Sequence, residues 1–395
     1  MAETIVELLT DVADAIREKK GSNEPINAQN FANEIKNLPS GSAPRWTGHA
    51  DADGLKAIGW DDDDIAYYQE HGVNWNEEDD EYHKVSDDNK ALYGVLTVNN
   101  IQTYRDRIVY LPKIDLGNTT QLSSFLAQAR NLLALPLLDT SKITDFTAAF
   151  NGCTSLVCVP PFDTSNGTSF RMTFYGCYAL SYVPRFDTSK ATTLYGLYSN
   201  CRNLTEIPQH NTSNTTDFGE MLANCRRIVV APWFDTSKAK SMASMFNGCS
   251  ALKIIPLYDI SNATDMNTML RDCTSLIKVP FFNTSKVTDV SLMLYGNSSI
   301  EYVEGLDVSA ATSYSNILGF NTHALKYAFI KGLHFSLSFP VSALFTKESL
   351  LYIINNEAAT EPITITLHKY AYQRLAEDAD VVAALANHPN VSLAK

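Results

Sequence analysis

The chain lacks a long apolar run. Of its 395 residues 45% are hydrophobic, but no stretch approaches the roughly 20 consecutive apolar residues of a membrane-spanning helix. The amino terminus, Met1-Ala2-Glu3-Thr4, has neither the basic start nor the apolar segment of a secretory signal. We therefore expect a protein that is made in the cytoplasm and that inserts into no membrane.

Basic residues are also scarce. The formal net charge is −13, and residues 1–111 hold 22 of the 44 acidic residues but only 10 of the 31 Lys and Arg residues. The remainder of the chain is nearly neutral. Because binding to a nucleic-acid backbone requires clustered Lys and Arg, this composition argues against nucleic acid as a partner.

Motifs of catalysis and metal binding are missing as well. The sequence has no Cys-x-x-Cys pair, no Gly-x-Ser-x-Gly, no His-Glu-x-x-His and no Gly-rich phosphate loop. We therefore expect no enzymatic activity, no catalytic residues, no metal site and no cofactor.

What the chain does have is a repeat of 24 residues. The period is carried by cysteines and prolines, at Cys153, Cys177, Cys201, Cys225, Cys249, Cys273 and at Pro112, Pro136, Pro160, Pro184, Pro208, Pro232, Pro256 and Pro280. A fixed period of this size is typical of a solenoid, in which neighbouring units bury each other's apolar faces. One thiol in each unit predicts a column of reduced, buried cysteines, since free Cys packs as a small hydrophobe.

Each unit predicts a short strand followed by a short helix. Apolar residues such as Leu156 and Val159 precede the proline as in a strand, and an Asp-Thr-Ser-Lys turn follows in several units. Thr168 and its equivalents are predicted N-caps of a helix of about two turns that ends at the glycine before the cysteine. The fold class is therefore α/β (α+β): a right-handed solenoid of short parallel strands and short helices, with the Leu156, Val159, Phe174 and Cys177 columns in its core.

The repeat divides the chain into four regions. We predict a helical hairpin at 1–40, a small acidic domain at 45–110, the solenoid at 111–320 and a strand–helix cap at 321–395. The first helix of the hairpin has an apolar stripe, which is too much apolar surface for a lone exposed helix. We expect it to pack on the second helix, on a copy of itself in a homo-oligomer or on another protein, and to act as an attachment module. The stripe consists of Ile5, Leu8, Val12 and Ile16.

Alternation in the C-terminal cap predicts four elements. A helix opens at Thr346, a strand covers 363–367, a second helix covers 371–386 and a last strand covers 391–393.

Two positions in each unit vary freely, one just after the proline and one two residues before it. Alternation along the strand sends these side chains away from the core, so we predict a ligand or partner surface there, centred on Trp233. The alternative is that these side chains pack beneath a neighbouring domain or subunit. The predicted site residues are Tyr182, Arg185, Val230, Trp233, Ile254, Leu257, Lys278, Phe281 and Tyr302.

The repeat resembles a known family. The unit Asp235-Thr-Ser-Lys238, followed by Met242, Met245-Phe246 and Cys249-Ser-Ala-Leu252, looks like the BspA-type leucine-rich repeat of bacterial surface proteins and phages. A second resemblance is independent of the first. The segment Leu9-Thr-Asp-Val-Ala-Asp-Ala-Ile-Arg-Glu-Lys-Lys-Gly21 is similar to the start of many phage tail and tail-fibre proteins.

These resemblances imply a non-enzymatic virion structural protein. It would be a phage tail or tail-fibre component that contacts other tail proteins and binds a glycan or protein on the host surface, and the analogy with fibres favours a trimer. Its location would be the virion tail. Two alternatives stay open: a bacterial adhesin or interaction protein at the cell surface, and a glycan depolymerase.

Overall fold

Successive 24-residue units lie side by side in parallel. The computed structural model describes residues 97–395 except 99, 110, 112, 113, 136, 137 and 320, so the predicted hairpin and most of the acidic domain lie outside the described residues. Each unit is called a rung below, and one continuous column of parallel bridges joins the rungs along the array. The bridges join Gln121, Asp145, Ser169, Thr193, Asp217, Ser241, Asp265, Asp289 and Ser313 in order.

Regular helices and strands lie at the two ends of the described region. At the start, helix α1 (Ile101–Tyr104) runs into a 3-10 turn at Arg105–Arg107. The later elements are β1 (Lys278–Val279), β2 (Tyr302–Asp307), β3 (Tyr327–Lys331), β4 (Leu337–Phe339), α2 (Lys347–Asn355), β5 (Ile363–Leu367), α3 (Lys369–Leu375), α4 (Ala379–Asn387) and β6 (Val391–Ala394). They form two parallel three-stranded sheets, ordered β1-β2-β3 and β4-β5-β6.

The predicted helix in each rung is wrong. After each bridge the described chain makes consecutive turns, and alternate backbone amides donate to carbonyls of the next rung instead of to the carbonyl four residues earlier. These bonds join Phe146 to Ser169, Ala148 to Arg171, Phe150 to Thr173 and Gly152 to Tyr175, at 2.7–2.9 Å. The array therefore keeps the predicted parallel stacking of 24-residue units, and turns replace only the predicted helix within each unit.

The glycines that were expected to end helices are instead turn residues in the left-handed region. The slot before each cysteine of the column, and the same slot in the next rung, has φ between +56° and +81°. Non-glycine residues enter this region with a steric penalty that Asn and Asp tolerate best. The slot is filled accordingly, by Gly152, Gly176, Asn200, Asn224, Gly248, Asp272 and Gly296.

The predicted threonine N-caps are also wrong. The Thr168 amide and hydroxyl both donate to the Thr144 carbonyl of the preceding rung, at 2.8 and 3.1 Å. The same pair of bonds joins Thr192 to Thr168 and Thr216 to Thr192. These side chains hold neighbouring rungs in register and cap no helix.

The predicted core columns are confirmed. Leu156, Val159, Phe174 and Cys177 are each at most 1% exposed, and they belong to one hydrophobic core that runs from Ile101 to Val391. Aromatic rings stack along the column, with centroids 5.5 Å apart for Phe150 and Phe174 and 5.9 Å apart for Phe174 and Tyr198. Offset aromatic pairs at such distances add to the stability from burial.

Each cysteine of the column is a buried free thiol. The Cys201 thiol donates to the Phe174 carbonyl at 3.1 Å, and the other five make the equivalent bond at 3.1–3.2 Å. Burial raises the pKa of Cys153 and Cys249 to about 12, so these thiols stay protonated at neutral pH and lack the thiolate that reacts.

In the next rung an asparagine takes the place of the cysteine. The Asn297 amide nitrogen donates to the carbonyls of Leu270 and Leu294 at 2.8 and 2.9 Å. Its amide oxygen is buried and has no hydrogen-bond partner among the described residues.

We expect Asn297→Cys to stabilise the protein by about 1 kcal/mol. The unpaired amide oxygen of Asn297 destabilises the folded state by roughly 1–3 kcal/mol, because a buried acceptor has lost its hydrogen bonds to water. A cysteine removes this oxygen, and its thiol keeps one hydrogen bond to the Leu270 carbonyl. Urea unfolding of the variant beside the wild type measures the change. A lower free energy of unfolding would contradict the prediction.

The cap elements are mostly as predicted. Helix α2 begins after Thr346, whose side chain accepts a hydrogen bond from the Ser349 amide, and β5 and β6 cover the predicted strands. The second predicted helix is divided into α3 and α4, because Asp378 is extended and caps α4 by accepting from the Asp380 amide. Among the described residues, no helix is long and apolar enough to cross a bilayer.

Candidate interaction surface

The predicted site residues occupy two outward columns on neighbouring rungs. The column two residues before the proline pairs in parallel from Cys158 to Tyr182, from Val230 to Ile254 and from Lys278 to Tyr302. Parallel pairing places equivalent side chains about 4.8 Å apart. The structure therefore brings Val230, Ile254 and the residues that follow the proline in the same rungs into one neighbourhood.

The most exposed part of this surface lies beside the predicted centre. Leu257 is 63% exposed and Phe281 is 55% exposed, whereas Trp233 is half-buried and has partners. Val230 is 44% exposed, and Ile254 is half-buried next to it. We call the set Val229, Val230, Ile254, Leu257 and Phe281 the apolar ridge.

Val229 belongs to the ridge but was missed by the sequence analysis. It is 43% exposed. The signal was the run Ile228-Val229-Val230-Ala231. Ile228 and Ala231 are buried and the two valines between them are exposed, so the run contains more apolar residues than the core buries.

The ridge ends in polar and aromatic contacts. Lys278 forms an ion pair with Glu304, at 2.6 Å between Nζ and Oε1. Tyr302 is half-buried and stacks on Tyr327, with ring centroids 5.1 Å apart. Tyr327 lies 25 residues after Tyr302, because the pairing of β2 with β3 contains a register shift. A strict period of 24 residues therefore does not predict this pair of tyrosines.

The remaining predicted residues lie towards the other end of the column. Tyr182 is half-buried and has partners, and Arg185 is exposed. The rung of Glu206 separates them from Val230, so they adjoin the ridge without belonging to it. The predicted attachment residues Ile5, Leu8, Val12 and Ile16 lie outside the described residues.

The regular carboxylates of the array are turn caps. Hydrogen bonds from the Ser141 hydroxyl and amide lower the pKa of Asp139, and bonds from the Ser189 amide and hydroxyl lower that of Asp187. A general acid of glycan hydrolysis needs a raised pKa. Asp139 and Asp187 have lowered pKa values and stay ionised, which favours a structural role for the aspartate column.

The described part of the chain holds no cluster of three or more His, Cys, Asp or Glu residues that could bind a metal ion. One histidine, His210, lies in the core with Nε2 at 2.9 Å from the Tyr198 hydroxyl. The described surface instead presents exposed apolar side chains on neighbouring rungs, which are suited to contact with a partner.

Two solved structures share a low level of similarity with the chain. A leucine-rich repeat protein from Bacteroides ovatus aligns over 72% of this chain and 88% of its own, with 11% identity and a TM-score of 0.25. A structure of the TLR13–ssRNA13 complex aligns over 76% of this chain and 52% of its own, with 10% identity and a TM-score of 0.20. Both TM-scores are low, and the parallel stacking of the rungs is defined by the hydrogen bonds between them.

A search of curated proteins finds no match to the chain. A family model does match it, in two overlapping segments at residues 120–233 and 229–327. Together these segments cover most of the array and more than half of the chain. The chain therefore belongs to the family described as Mycoplasma protein of unknown function, DUF285.

Proposed function

We propose that the protein is a non-enzymatic interaction scaffold that docks a protein partner on the apolar ridge. The observation that carries the proposal is the exposure of Leu257 and Phe281 on adjacent rungs. Large exposed apolar side chains that adjoin one another are typical of interaction sites. The rung-to-rung bonds supply a rigid support, so little conformational entropy is lost when the ridge is covered.

The chemistry of the ridge favours a protein with an apolar patch of its own. The centre is aliphatic and aromatic, and charge appears at the rim in the ion pair of Lys278 and Glu304. An apolar core with a polar rim is the usual anatomy of a protein–protein interface. A sugar would need hydrogen-bonding groups beside the rings, and the ridge residues themselves provide only aliphatic and aromatic side chains.

The setting that we propose is a phage tail or tail fibre. The support for it is the resemblance of Leu9–Gly21 to the start of phage tail proteins. In that setting the apolar stripe of Ile5, Leu8, Val12 and Ile16 attaches the chain to the tail, a trimer is its assembly, and the ridge contacts another tail protein or the host surface. Mass spectrometry of purified particles, with the copy number of this chain, tests the setting.

A bacterial surface protein is the second candidate, and the family match favours it, because the family is described by a bacterial source. The two settings separate in one measurement. A tail component copurifies with particles at a fixed copy number, whereas a surface protein is digested by protease added to intact bacteria and is absent from particles.

We expect Trp233→Ala and Phe281→Ala each to weaken partner binding about thirtyfold. A central aromatic of an interface contributes about 2 kcal/mol or more. The free energy of unfolding should fall by about 1–2 kcal/mol at most for the half-buried Trp233, and less for the exposed Phe281. Binding to each purified tail protein and incorporation into particles are the measurements.

A matched pair of leucines sharpens the test. Leu257 and Leu344 are similarly exposed, at 63% and 58%, but Leu344 lies in the cap. Leu257→Ser should reduce incorporation and Leu344→Ser should leave it unchanged. Normal incorporation and normal binding for Trp233→Ala, Phe281→Ala and Leu257→Ser would exclude the ridge as the docking site.

A further inference from the structure

A second outward surface has a different chemistry from the apolar ridge. It consists of the side chains around the left-handed turn before each cysteine and those just after the cysteine. On five successive rungs these positions hold arginine, tyrosine, asparagine and small hydroxyl side chains. We call this set the arginine–tyrosine track: Tyr175, Tyr178, Arg202, Asn224, Arg226, Asn247, Ser250, Arg271 and Thr274.

Part of the track is an open depression. It is lined by Asn224, Arg226, Asn247, Gly248, Ser250, Arg271, Asp272 and Thr274. The backbone turns there because Gly248 and Asn224 adopt φ of +74° and +59°. A side chain at position 248 would run into the Asn224 amide oxygen, so the glycine keeps the depression open.

Arginines of this surface stack on tyrosines. The Arg202 guanidinium lies 4.5 Å from the centroid of the Tyr178 ring, and that of Arg271 lies 5.2 Å from the Tyr295 ring. Beside the track, Arg171 lies 4.1 Å from the Tyr195 ring. Stacking uses the flat face of the guanidinium and leaves its N–H edges free to meet a carboxylate in a bidentate pair.

The acids near the track are already engaged. Glu220 accepts from the Tyr195 hydroxyl at 2.6 Å, and Asp272 pairs with Arg271 at 3.2 Å. Arg202 and Arg226 are exposed on adjacent rungs, and within the described chain neither pairs with an acid. Two adjacent unpaired guanidinium groups make a positive site on an array that is otherwise nearly neutral.

Neutral hydrogen-bonding groups accompany the charge. The side-chain amides of Asn224 and Asn247 are half-buried in the depression, and neither forms a hydrogen bond with any residue that the structure describes. Each amide offers two donors and one acceptor oxygen. Tyr178 is 43% exposed at the end of the track, where its ring presents an apolar face with a polar tip.

We propose that the arginine–tyrosine track binds a linear polysaccharide that carries carboxylate groups. The uncompensated arginines fit the carboxylates, the asparagine amides fit the hydroxyl groups, and the tyrosine ring fits the apolar face of a sugar. Neighbouring rungs are about 4.8 Å apart, which is about the advance of one sugar unit in an extended chain. The spacing of the track therefore matches the repeat of such a polymer. This proposal does not depend on the apolar ridge.

Nucleic acid fits this surface less well. The track contains no lysine, the array is nearly neutral and the whole chain carries a charge of −13. Phosphate-backbone binding needs many more cations than the track provides. Amide and hydroxyl groups between the arginines match a ligand that has hydroxyl groups between its charges.

The test is the binding of polygalacturonate to the full chain, measured by isothermal titration calorimetry at low and high salt. The same polymer with its carboxylates methyl-esterified is the matched ligand without charge. We expect wild-type binding that weakens as salt rises, and at least tenfold weaker binding of the ester. The double variant Arg202→Gln/Arg226→Gln should bind polygalacturonate at least tenfold more weakly, and Tyr178→Ala several-fold more weakly.

Lys253→Gln is the control variant, because Lys253 is exposed but lies outside the track, and its affinity should equal that of the wild type. Circular dichroism checks that every variant keeps its fold. The proposal is overturned if the wild type does not bind polygalacturonate, if the double variant binds it as tightly as the wild type, or if poly-dT binds as tightly as polygalacturonate.

Discussion

Replacement of Cys201 by Asp is expected to unfold the rungs on both sides of it. Cys201 is fully buried, and its thiol donates to the Phe174 carbonyl at 3.1 Å. An aspartate there would place a carboxylate beside a carbonyl oxygen with no cation in reach of the core. A buried polar or charged group without partners costs several kcal/mol, so we expect the free energy of unfolding to fall by about 4 kcal/mol or more.

The effect should be local first, because each rung contacts mainly its neighbours. Hydrogen exchange read out by mass spectrometry should show faster exchange in the rungs of Cys177, Cys201 and Cys225 than in the cap. Protection equal to that of the wild type throughout the array would contradict this account of the cysteine column.

Cys201→Ala is the matched control. It leaves a small cavity and removes one weak hydrogen bond, while the Phe174 carbonyl keeps its bond from the Cys177 amide at 3.2 Å. The cost should be about 1–2 kcal/mol. Polygalacturonate binding and ridge binding should both survive, because the thiol reaches neither surface.

The stacking of the rungs could be predicted from the sequence, but the path of the chain within a rung could not. Phe170, Phe174 and Cys177 are spaced four and three residues apart, which matches one face of a helix. Consecutive turns bury the same positions, so periodicity does not distinguish the two structures. The residues that do distinguish them lie inside the predicted helix, where Ala148, Met172 and Leu292 adopt φ of +53° to +55°. A helix has no left-handed residue in its interior, and alanine, methionine and leucine give no sequence signal for that conformation.

The apolar ridge could be predicted only in part. Variation between rungs located its two columns, because the core constrains the other positions. The exposed fraction of a side chain depends on the side chains that cover it, and those belong to neighbouring rungs. Trp233 was thus expected at the centre and is half-buried, whereas Leu257 is the most exposed.

One buried pair departs from the aromatic columns. In the preceding rung Phe174 and Phe186 stack with centroids 5.9 Å apart. Their equivalents are Tyr198 and His210, which stack at the same distance and share a hydrogen bond of 2.9 Å between the hydroxyl and Nε2. The two polar atoms satisfy each other, but His210 Nδ1 has no hydrogen-bond partner in the described region.

Acidification from pH 7 to pH 4 is expected to destabilise the array through His210. Burial lowers the pKa of His210 from 6.5 to about 4, the Phe186 backbone opposes this shift in part, and Arg185 adds to it. The unfolded chain therefore takes up a proton near pH 6.5 that the folded chain refuses until about pH 4. The stability is fully present above pH 6.5 and is lost as the pH falls towards 4, by about 3 kcal/mol in total.

The double variant Tyr198→Phe/His210→Phe isolates this effect, because it restores the phenylalanine pair of the preceding rung and leaves no unpaired hydroxyl. Urea unfolding at a series of pH values from 7 to 5 should show a slope for the wild type that is absent from the variant. Carboxylates with lowered pKa values, such as Asp139 and Asp187, affect stability mainly below this range, since their ordinary pKa is 3.8. Equal slopes for the two proteins between pH 6.5 and 5 would contradict this account, because they would mean that His210 takes up its proton in the folded core as readily as in the unfolded chain.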